Sequence, residues 1–538
     1  MAKRPSQEDL QNLPARAAEY INLVIRKMRY RGKVRQDVQA ELKAHFEDGL
    51  RECTTGKERD EKARQLLAEF GDVKLLATLL RRAKKRCRTF WQKALVRSFQ
   101  ALGIVVLYLL ICLGRLTIGT PTVGVNYIDW LNKLVQADRD DSENGYPYYE
   151  KAVQAAVKMP DRLSKSTVKW PADFNDVQMQ MLSQWINDNE QAIELMTEGT
   201  KKPYYWAIYQ ATQTDLLKSD MMANMMKLLR GYRQIAFAMR WRIRYKTHSG
   251  DVDTALSDCV VLQKFGGHFQ GKGLLIEQLV GIAIEAVAHD GIFQVLEKTD
   301  APADALKNIQ EQLQELYREQ EAVMDLEAEK AFKYDYVQRT FTDDGKGGGR
   351  MLVRGLPVAV GGWKSGLWRF VLFSYPDRTE VTRTIDEYFE QGHELIDKTP
   401  WQLHKQGCNA ERWDKIGKKS VMLKILGPAH HKVGQITWRV KTHRAALLTV
   451  LAIKRYDKDK SNYPQSLDEL VAADYLKELP IDPYSDKLLV YRRTDDNFIL
   501  YSVGLNFTDD GGQVVRDDEG RIKKWADEGD WVFWPVRK

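Results

Sequence analysis

The feature that most constrains this chain is an apolar run at residues 99–119, FQALGIVVLYLLICLGRLTIG, in which no charged residue interrupts Ala101 to Gly114. A helix of about 20 residues, rising about 1.5 Å per residue, crosses the roughly 30 Å hydrocarbon core of a bilayer. Arg115 is the one charge in the run, and near the end of a span its long side chain can reach the headgroups. We therefore predict a transmembrane helix over residues 98–120. A buried core helix is the alternative, because the uncharged stretch is short for a span.

The positive charge of the chain lies on the N-terminal side of this run. Residues 81–97 hold eight Lys or Arg and no Asp or Glu. Residues 1–97 hold 24 Lys and Arg against 13 Asp and Glu, whereas the rest hold 58 against 61, so a net +11 precedes a net −3. Cationic flanks mark the cytoplasmic side of a span and attract anionic lipid. Nucleic acid is the rival partner for such a run, but its position directly against an apolar segment favours the membrane.

Residues 15–80 are predicted to form short amphipathic helices. Apolar residues recur there at four-residue spacing, as in Tyr20, Val24 and Met28. Gly71 is placed to end one helix, and Asp72 is placed to cap the next.

This segment resembles the small cytoplasmic helical prefix of the HAAS-type, or permease-prefix, family. The resemblance covers about 65 residues and is carried by Glu41, Leu42, His45, Asp48, Gly56, Gly71 and Asp72. It implies a regulatory or signalling role beside a membrane segment and brings no chemistry with it. For His45, helix packing is the commoner role, because no other metal-binding residue types recur at a suitable spacing.

The predicted span and its cationic flank put residues 121–440 outside the cytoplasm. Apolar residues recur there every three or four positions, which predicts a large helical domain. A helix hairpin is expected to turn at Ser249-Gly250, with Asp251 capping its second helix. Residues 302–336 are predicted to form one highly charged helix.

Candidate chemistry in this region centres on Glu285 and His289, which are four residues apart and so share a helix face. Such a pair serves as an acid and base or as two metal ligands, but a hydrogen-bonded pair in a helix interface is commoner. His430-His431 are expected in a loop, and residues 343–350, DDGKGGGR, lack the ending of a phosphate-binding loop. An envelope hydrolase with its site in residues 121–440 is therefore the alternative function.

The last segment, residues 441–538, is predicted to be a small α+β domain. A helix is expected near residues 442–456, followed by a short helix after Tyr463-Pro464. Two alternating runs, LLVYRR and NFILYSVG, flank a turn and predict a β-hairpin, and WVFWPV predicts a third strand. The overall fold class is therefore mainly α, with one transmembrane helix, a large helical domain and a small C-terminal sheet.

This segment resembles the globular domain of type II secretion major pseudopilins over about 95 residues. The matching positions are Ala452, Tyr456, Tyr463-Pro464, Leu467, Leu470, Tyr475-Leu476, Leu479-Pro480, Asp482-Pro483, Tyr491, Ser502 and Gly504. The resemblance implies a calcium-binding loop. The chain departs from the family before this domain, because Lys and Arg interrupt VKTHRAALLTVLAIKRY, which cannot span or polymerise as a pseudopilin helix does.

The calcium loop is predicted to lie between Ser502 and the chain end. Calcium takes six to eight oxygen ligands from carboxylates and carbonyls. Candidate side-chain ligands are Asn506, Asp509, Asp510 and Asp527, with the carbonyl of Leu505. The alternative is that Asp509-Asp510-Gly511-Gly512 only forms a turn.

Together these observations predict a bacterial inner-membrane protein that crosses the membrane once. Its N-terminus is expected in the cytoplasm and its bulk in the periplasm, where it would act by binding, scaffolding or signalling with other envelope proteins. Cys259 and Cys408 are candidates for pairing in that oxidising compartment.

Overall fold

The computed structural model describes residues 10–86, 90–164, 170–209, 220–319, 323–352, 377–407 and 430–535. The described residues are mainly helical with a small sheet, as predicted, and the chain divides into two compact units, Met1–Cys112 and Leu113–Lys538. The sequence predicted a separate domain starting at residue 441, whereas the second unit includes it.

The first unit is built around four helices: α1 (Ala15–Met28), α2 (Gly32–Gly49), α3 (Gly56–Phe70) and α4 (Val73–Arg86). Their apolar faces share one core, in which Ile21, Val24, Met28, Val38 and Phe46 are almost fully buried. The predicted ends are confirmed: Gly71 follows the last residue of α3, and Asp72 accepts hydrogen bonds from the backbone N–H groups of Lys74 and Leu75.

A long helix, α5 (Phe90–Thr117), carries the apolar run of the sequence. None of its Ala94–Ile111 stretch is buried in the protein, so leucine and isoleucine side chains such as Leu102, Ile104 and Leu107 are more than half exposed. A helix that is apolar all round is normally found inside a core or inside a membrane.

The second unit contains the remaining helices: α6 (Tyr127–Gln136), α7 (Tyr146–Ala155), α8 (Asp161–Ser164), α9 (Asp176–Asp188), α10 (Glu190–Thr200), α11 (Asp220–His248), α12 (Val252–Gly267), α13 (Leu275–Lys298), α14 (Ala303–Glu319), α15 (Glu327–Thr340), α16 (Arg378–Asp397), α17 (Pro400–Lys405), α18 (His430–Lys460) and α19 (Asp468–Ala472). The single helix expected over 302–336 is wrong, because α14 ends at Glu319 and α15 begins at Glu327, after non-helical residues 323–326.

The predicted hairpin with its turn at Ser249-Gly250 joins α11 to α12, and its predicted cap is confirmed because Asp251 accepts the N–H of Thr254. The next helix, α13, packs closely against α12. Two glycines make the approach possible. A Cβ on Gly281 would lie 2.5 Å from the carbonyl oxygen of Gly266, and a Cβ on Gly266 would lie 2.7 Å from that of Gly281. Real Cβ atoms do not approach a carbonyl so closely, so the two backbones touch where a side chain would separate them.

The α18 helix joins the helical part of this unit to its sheet. It is longer than the predicted 442–456 and runs without a break through residue 440, where the sequence placed a domain boundary. Residues Leu447, Val450, Leu451 and Ile453 on it are fully buried in a core that extends from α6 to the last strand. Residues 121–440 and 441–538 therefore share one core.

The sheet follows the predicted hairpin and third strand. Strands β3 (Val490–Arg493), β4 (Phe498–Ser502) and β5 (Trp531–Trp534) pair antiparallel in the order β3-β4-β5, with Tyr501 opposite Val532. A further two-residue pair, β1 (Ile481–Asp482) with β2 (Lys487–Leu488), lies outside this sheet. The β5 strand is thus at the edge of the three-stranded sheet.

The glycine contact predicts that Gly281→Ala destabilises the second unit by about 1–3 kcal/mol, the usual range for adding a methyl group where there is no space. Thermal unfolding of the full chain in lipid nanodiscs, followed by tryptophan fluorescence, measures the change. Gly124→Ala is the matched control, because a Cβ at Gly124 meets nothing within 4 Å. Equal melting temperatures for the two variants would contradict the close approach.

Candidate functional site

The two residues singled out from the sequence, Glu285 and His289, lie on one face of α13, with 3.4 Å between Glu285 Oε1 and His289 Nε2. Each is only 1% exposed, in a helix whose other buried residues are mostly apolar. Buried ionisable groups need partners, because removing a charge from water is costly. The partners decide what this pair does.

Glu285 is held by two residues from outside α13, Arg444 on α18 and Gln270 in the segment after α12. Arg444 on α18 donates its Nε to Oε1 at 2.7 Å and one terminal nitrogen to Oε2 at 2.8 Å, and Gln270 donates to Oε2 at 2.5 Å. Burial raises the pKa of Glu285, but the charge and hydrogen bonds of Arg444 outweigh burial and bring it down to about 2. Both carboxylate oxygens are therefore occupied, and Glu285 joins α13 to α18 as half of a buried ion pair.

His289 continues this contact into a chain of rings. Its Nε2 lies 2.7 Å from the hydroxyl of Tyr317, and its Nδ1 lies 3.2 Å from the Nδ1 of His443 on α18. Burial lowers the pKa of His289 to about 4 and that of His443 well below its ordinary value. Both imidazoles are thus neutral at pH 7, and each can donate one hydrogen bond and accept one.

His443 connects this buried cluster to a groove between α13 and β5. The groove has a volume of about 980 Å³, and its lining includes residues of α13, residues 521–525 and the β5 strand, together with residues from 170–173, Arg244 of α11 and Val514. His443 packs flat against Phe293 and Phe533, with ring centroids 5.6 and 5.7 Å away, and is 7% exposed. Glu285 and His289 do not line this α13–β5 groove. Glu285 and His289 therefore contact the groove only through His443, which lines it.

Arg444 and His443 escaped the sequence reasoning, although a signal for them was present. Both lie in the stretch VKTHRAALLTVLAIKRY, which was predicted to contain a helix near 442–456 without a partner for its charges. A buried charge in such a helix implies an opposite charge on a neighbour. Glu285, the buried acid of another apolar helix, was the residue to match with it.

The predicted calcium ligands lie on a loop between β4 and β5. Leu505 and Asn506 belong to a short 3₁₀ turn, Gly504–Asn506. Asn506 donates its amide to Asp510 at 2.6 Å, and Asp509 accepts the hydroxyl of Tyr501 at 2.7 Å.

Asp527 is the predicted ligand that stands apart, since no hydrogen bond joins it to the other four in the described part of the chain. Within the described ranges, no three His, Cys, Asp or Glu side chains converge as metal ligands. Asn506, Asp509 and Asp510 take part in the hydrogen bonds of a turn, and calcium stays a prediction for this loop.

Asp530, which the sequence analysis did not single out, closes the loop. It is 4% exposed and accepts the backbone N–H groups of Gly512 at 2.6 Å and of Asp510 at 3.3 Å. Burial raises its pKa. The Asp509-Asp510-Gly511-Gly512 turn therefore donates backbone N–H groups to the Asp530 carboxylate.

A second buried carboxylate anchors the residues that carry the pseudopilin resemblance. Asp482 is fully buried and accepts the hydroxyl of Ser502 at 2.8 Å and the N–H of Val503 at 3.0 Å. It ties the Asp482-Pro483 position to the start of the loop.

Other sequence features lie away from the groove or outside the described residues. Residues 343–350 form a turn in which Asp344 accepts the N–H groups of Lys346 and Gly348. Cys408 and the side chains of His430-His431 lie outside the described part of the chain, but the loop expected for these two histidines is wrong, because their backbone begins α18. Cys259 is buried, and it has no disulfide partner among the described residues.

A scan against protein-family models, a search of curated proteins and a search of solved structures each found no match to the chain. The functional argument therefore rests on the residues and contacts described above.

The ion pair predicts that Arg444→Met destabilises the second unit by about 3–5 kcal/mol, because Glu285 keeps its buried charge without its partner. In the double variant Glu285→Met with Arg444→Met, no charge is left, so we expect part of this loss to be recovered. Thermal unfolding in nanodiscs measures both.

Arg521→Met is the control, because Arg521 pairs with Asp517 at an exposed position where such pairs contribute about 0–1 kcal/mol. A loss for Arg444→Met no larger than that of the control would contradict the buried-pair interpretation.

The loop predicts that Asp530→Asn lowers stability by about 1–3 kcal/mol in calcium and in chelator alike, because the new amide group replaces an acceptor facing two N–H donors. The calcium prediction adds that calcium raises the melting temperature and that Asp527→Asn removes only this increment. Paired melting curves in calcium and in chelator measure both effects.

The double change of Asp495 and Asp496 to Asn, in the β3–β4 turn, is the matched control. An identical melting curve of the unmodified chain in calcium and in chelator would contradict the calcium prediction while leaving the role of Asp530 intact.

Proposed function

We propose that the chain is a single-span envelope protein that binds a partner outside the cytoplasm. In this proposal α5 crosses the bacterial inner membrane, residues 1–97 face the cytoplasm, and residues 121–538 form a binding unit on the periplasmic side.

The observation that carries the proposal is the contrast between the two apolar helices of the protein. By length and composition, two stretches in the described residues qualify as spans: Ala94–Ile111 and Leu275–Lys298. Burial within the protein is 67% for the second and zero for the first. The second already has a protein environment for its apolar surface, whereas the first has none, and lipid supplies it.

The cationic residues 81–97 support the orientation. The Lys and Arg of this segment precede the span directly, and the positive-inside rule assigns such a flank to the cytoplasm, where anionic headgroups attract it. The resemblance to the HAAS-type prefix adds that the four-helix unit transmits a signal to a cytoplasmic partner.

A binding role is favoured over the hydrolase alternative by the state of Glu285. An acid or base that acts on a substrate must reach it, directly or through one water. Glu285 is occupied by Arg444 and Gln270, and it does not line the α13–β5 groove. The groove itself, with its aromatic and polar lining, has the character of a binding site.

Reporter fusions test this topology. Alkaline phosphatase is active only outside the cytoplasm, so we expect activity for fusions after residues 250, 300 and 538, and none for a fusion after residue 88. A fluorescent protein that folds only in the cytoplasm should give the opposite pattern.

The fusions after residues 250 and 300 are matched controls for the second apolar helix, since they flank Leu275–Lys298. Opposite activities for these two fusions would mean that α13 crosses the membrane, and an inactive fusion at residue 538 would overturn the proposed placement of the binding unit.

A further inference from the structure

The α4 helix turns one side to the core of the first unit and another side to solvent. Ala77 is almost fully buried, and Leu76 and Leu80 pack against the same core. On the solvent side, Leu75 and Leu79 are 61% and 51% exposed. Because these two leucines are four residues apart, they are neighbours on one helix face. They form a small apolar patch, whose role depends on the residues around it.

Basic residues continue this patch along the helix. The α4 sequence contains six Lys or Arg and no Asp or Glu. Arg82 follows Leu75 by seven positions and Leu79 by three, so it lies on the same face, and Lys85 follows one turn later. Arg82, Lys85 and their neighbour Arg81 are exposed, and no acid among the described residues forms an ion pair with any of the three. We call Leu75, Leu79, Arg82 and Lys85 the α4 outer face.

The acids nearest to this face are engaged elsewhere. Glu41 of α2 pairs with Lys84, which is only partly exposed, at 2.5 Å. Asp72, which precedes α4, accepts the backbone N–H groups of Lys74 and Leu75 as the cap of the helix. The α4 outer face therefore combines an apolar patch with positive charge that the protein does not neutralise.

The chain keeps α4 close to the predicted membrane span. The α4 helix ends at Arg86 and α5 begins at Phe90, so three residues join the two helices. Such a link extends at most about 15 Å. The apolar stretch Ala94–Ile111 starts one turn into α5, which adds about 6 Å along the helix axis. If α5 lies in lipid, the end of α4 is thus within about 20 Å of the hydrocarbon, where the headgroups lie.

Anionic lipid matches both components of the α4 outer face. A helix with leucines beside Lys and Arg lies in the membrane interface, with the apolar side chains at the acyl boundary and the cations at the headgroups. A second copy that docked by the same face would set the bases of one α4 against those of the other, because both sides of a two-fold interface are identical. The phosphates of a nucleic acid would match the bases but would leave the leucines without an apolar partner.

We propose that the α4 outer face docks on the anionic lipid surface of the membrane that α5 crosses. Leu75 and Leu79 insert at the acyl boundary, and Arg82 and Lys85 contact lipid phosphates. The docking holds the four-helix unit against the membrane, and it weakens when anionic lipid is diluted or salt is raised. This inference deepens the proposed function, since it rests on α5 as the span and identifies a second surface by which the first unit meets lipid.

The test uses the full chain in nanodiscs of phosphatidylcholine, with or without one quarter of phosphatidylglycerol. A trace of phosphatidylcholine with a diazirine at the glycerol end of its acyl chain labels residues at the acyl boundary. Mass spectrometry then compares the lipid adducts on residues 73–86 with those on α5, which is the internal standard in both lipids. We expect at least tenfold more adducts on α4 in the anionic discs, and a loss of this excess at high salt.

The charge of the face is tested by the double change Arg82→Gln with Lys85→Gln. Each base near an anionic surface strengthens docking about fivefold, so we expect at least tenfold fewer adducts on α4. The matched control is Lys62→Gln with Arg64→Gln, which removes the same charge from exposed positions of α3 and should leave the adducts unchanged.

The apolar patch is tested by Leu75→Ser with Leu79→Ser, for which we expect at least tenfold fewer adducts on α4. The control, Leu75→Met with Leu79→Met, keeps an apolar surface and a good helix former at each position, so the adducts should remain. Amide hydrogen exchange of α1, α2 and α3 shows that the four-helix unit stays folded in each variant.

Each contrary result has a separate meaning. Equal adducts on α4 in the two lipids, or an equal loss in the two charge variants, would overturn the proposal. Two copies per disc that the serine variant separates, or protection of α4 amides by duplex DNA, each without adducts on α4, would assign the face to a second copy or to nucleic acid and also overturn it. Adducts on α5 but not on α4 would overturn the docking alone, whereas a lack of adducts on α5 would overturn the proposed function together with this inference.

Discussion

The buried ion pair between Glu285 and Arg444 is the interaction on which the second unit depends. It lies on α13, a helix apolar enough to enter a membrane, and joins it to α18 in the protein core. A paired carboxylate and guanidinium that satisfy each other's hydrogen bonds tolerate burial, whereas either one alone would not. The pair thus gives α13 a protein neighbour, and 67% of the Leu275–Lys298 stretch is buried in the protein, whereas none of Ala94–Ile111 in α5 is.

The same pair positions the candidate binding site. Because α18 packs on α13 and also on strands β4 and β5, the contact at Arg444 helps to hold in place α13 and β5, which both line the groove. His443, the neighbour of Arg444 in the chain, extends the contact to the groove through His289. This polar cluster therefore helps to hold the His443 ring between Phe293 and Phe533.

The sequence predicted those features that depend on neighbouring residues. Helix ends at Gly71 and Asp251 follow from local backbone chemistry, and the β3–β4 hairpin follows from alternation around a turn. The position of Glu285 and His289 on one helix face was also predictable, because helical spacing alone sets it.

The features that sequence reasoning missed depend on contacts between distant residues. Arg444 lies 159 positions from Glu285, and Asp530 lies 18 positions from Gly512, so no periodic pattern relates them. The helix α18 runs from His430 to Lys460, beyond both ends of the predicted 442–456, and its buried side chains pack against residues that are distant in the sequence. The non-helical residues 323–326 before α15 were not predicted, because a run of charged helix-forming residues gives no local sign of a break.

The central claim is that the protein places one apolar helix in lipid and keeps the other in its core. Photolabelling of native membranes with a lipid-soluble carbene reagent, followed by peptide mass spectrometry, tests this claim directly. The account predicts labels within Ala94–Ile111 and none within Leu275–Lys298. Labelling of Leu275–Lys298 at a level comparable to that of Ala94–Ile111, or labelling of Leu275–Lys298 alone, would contradict the account.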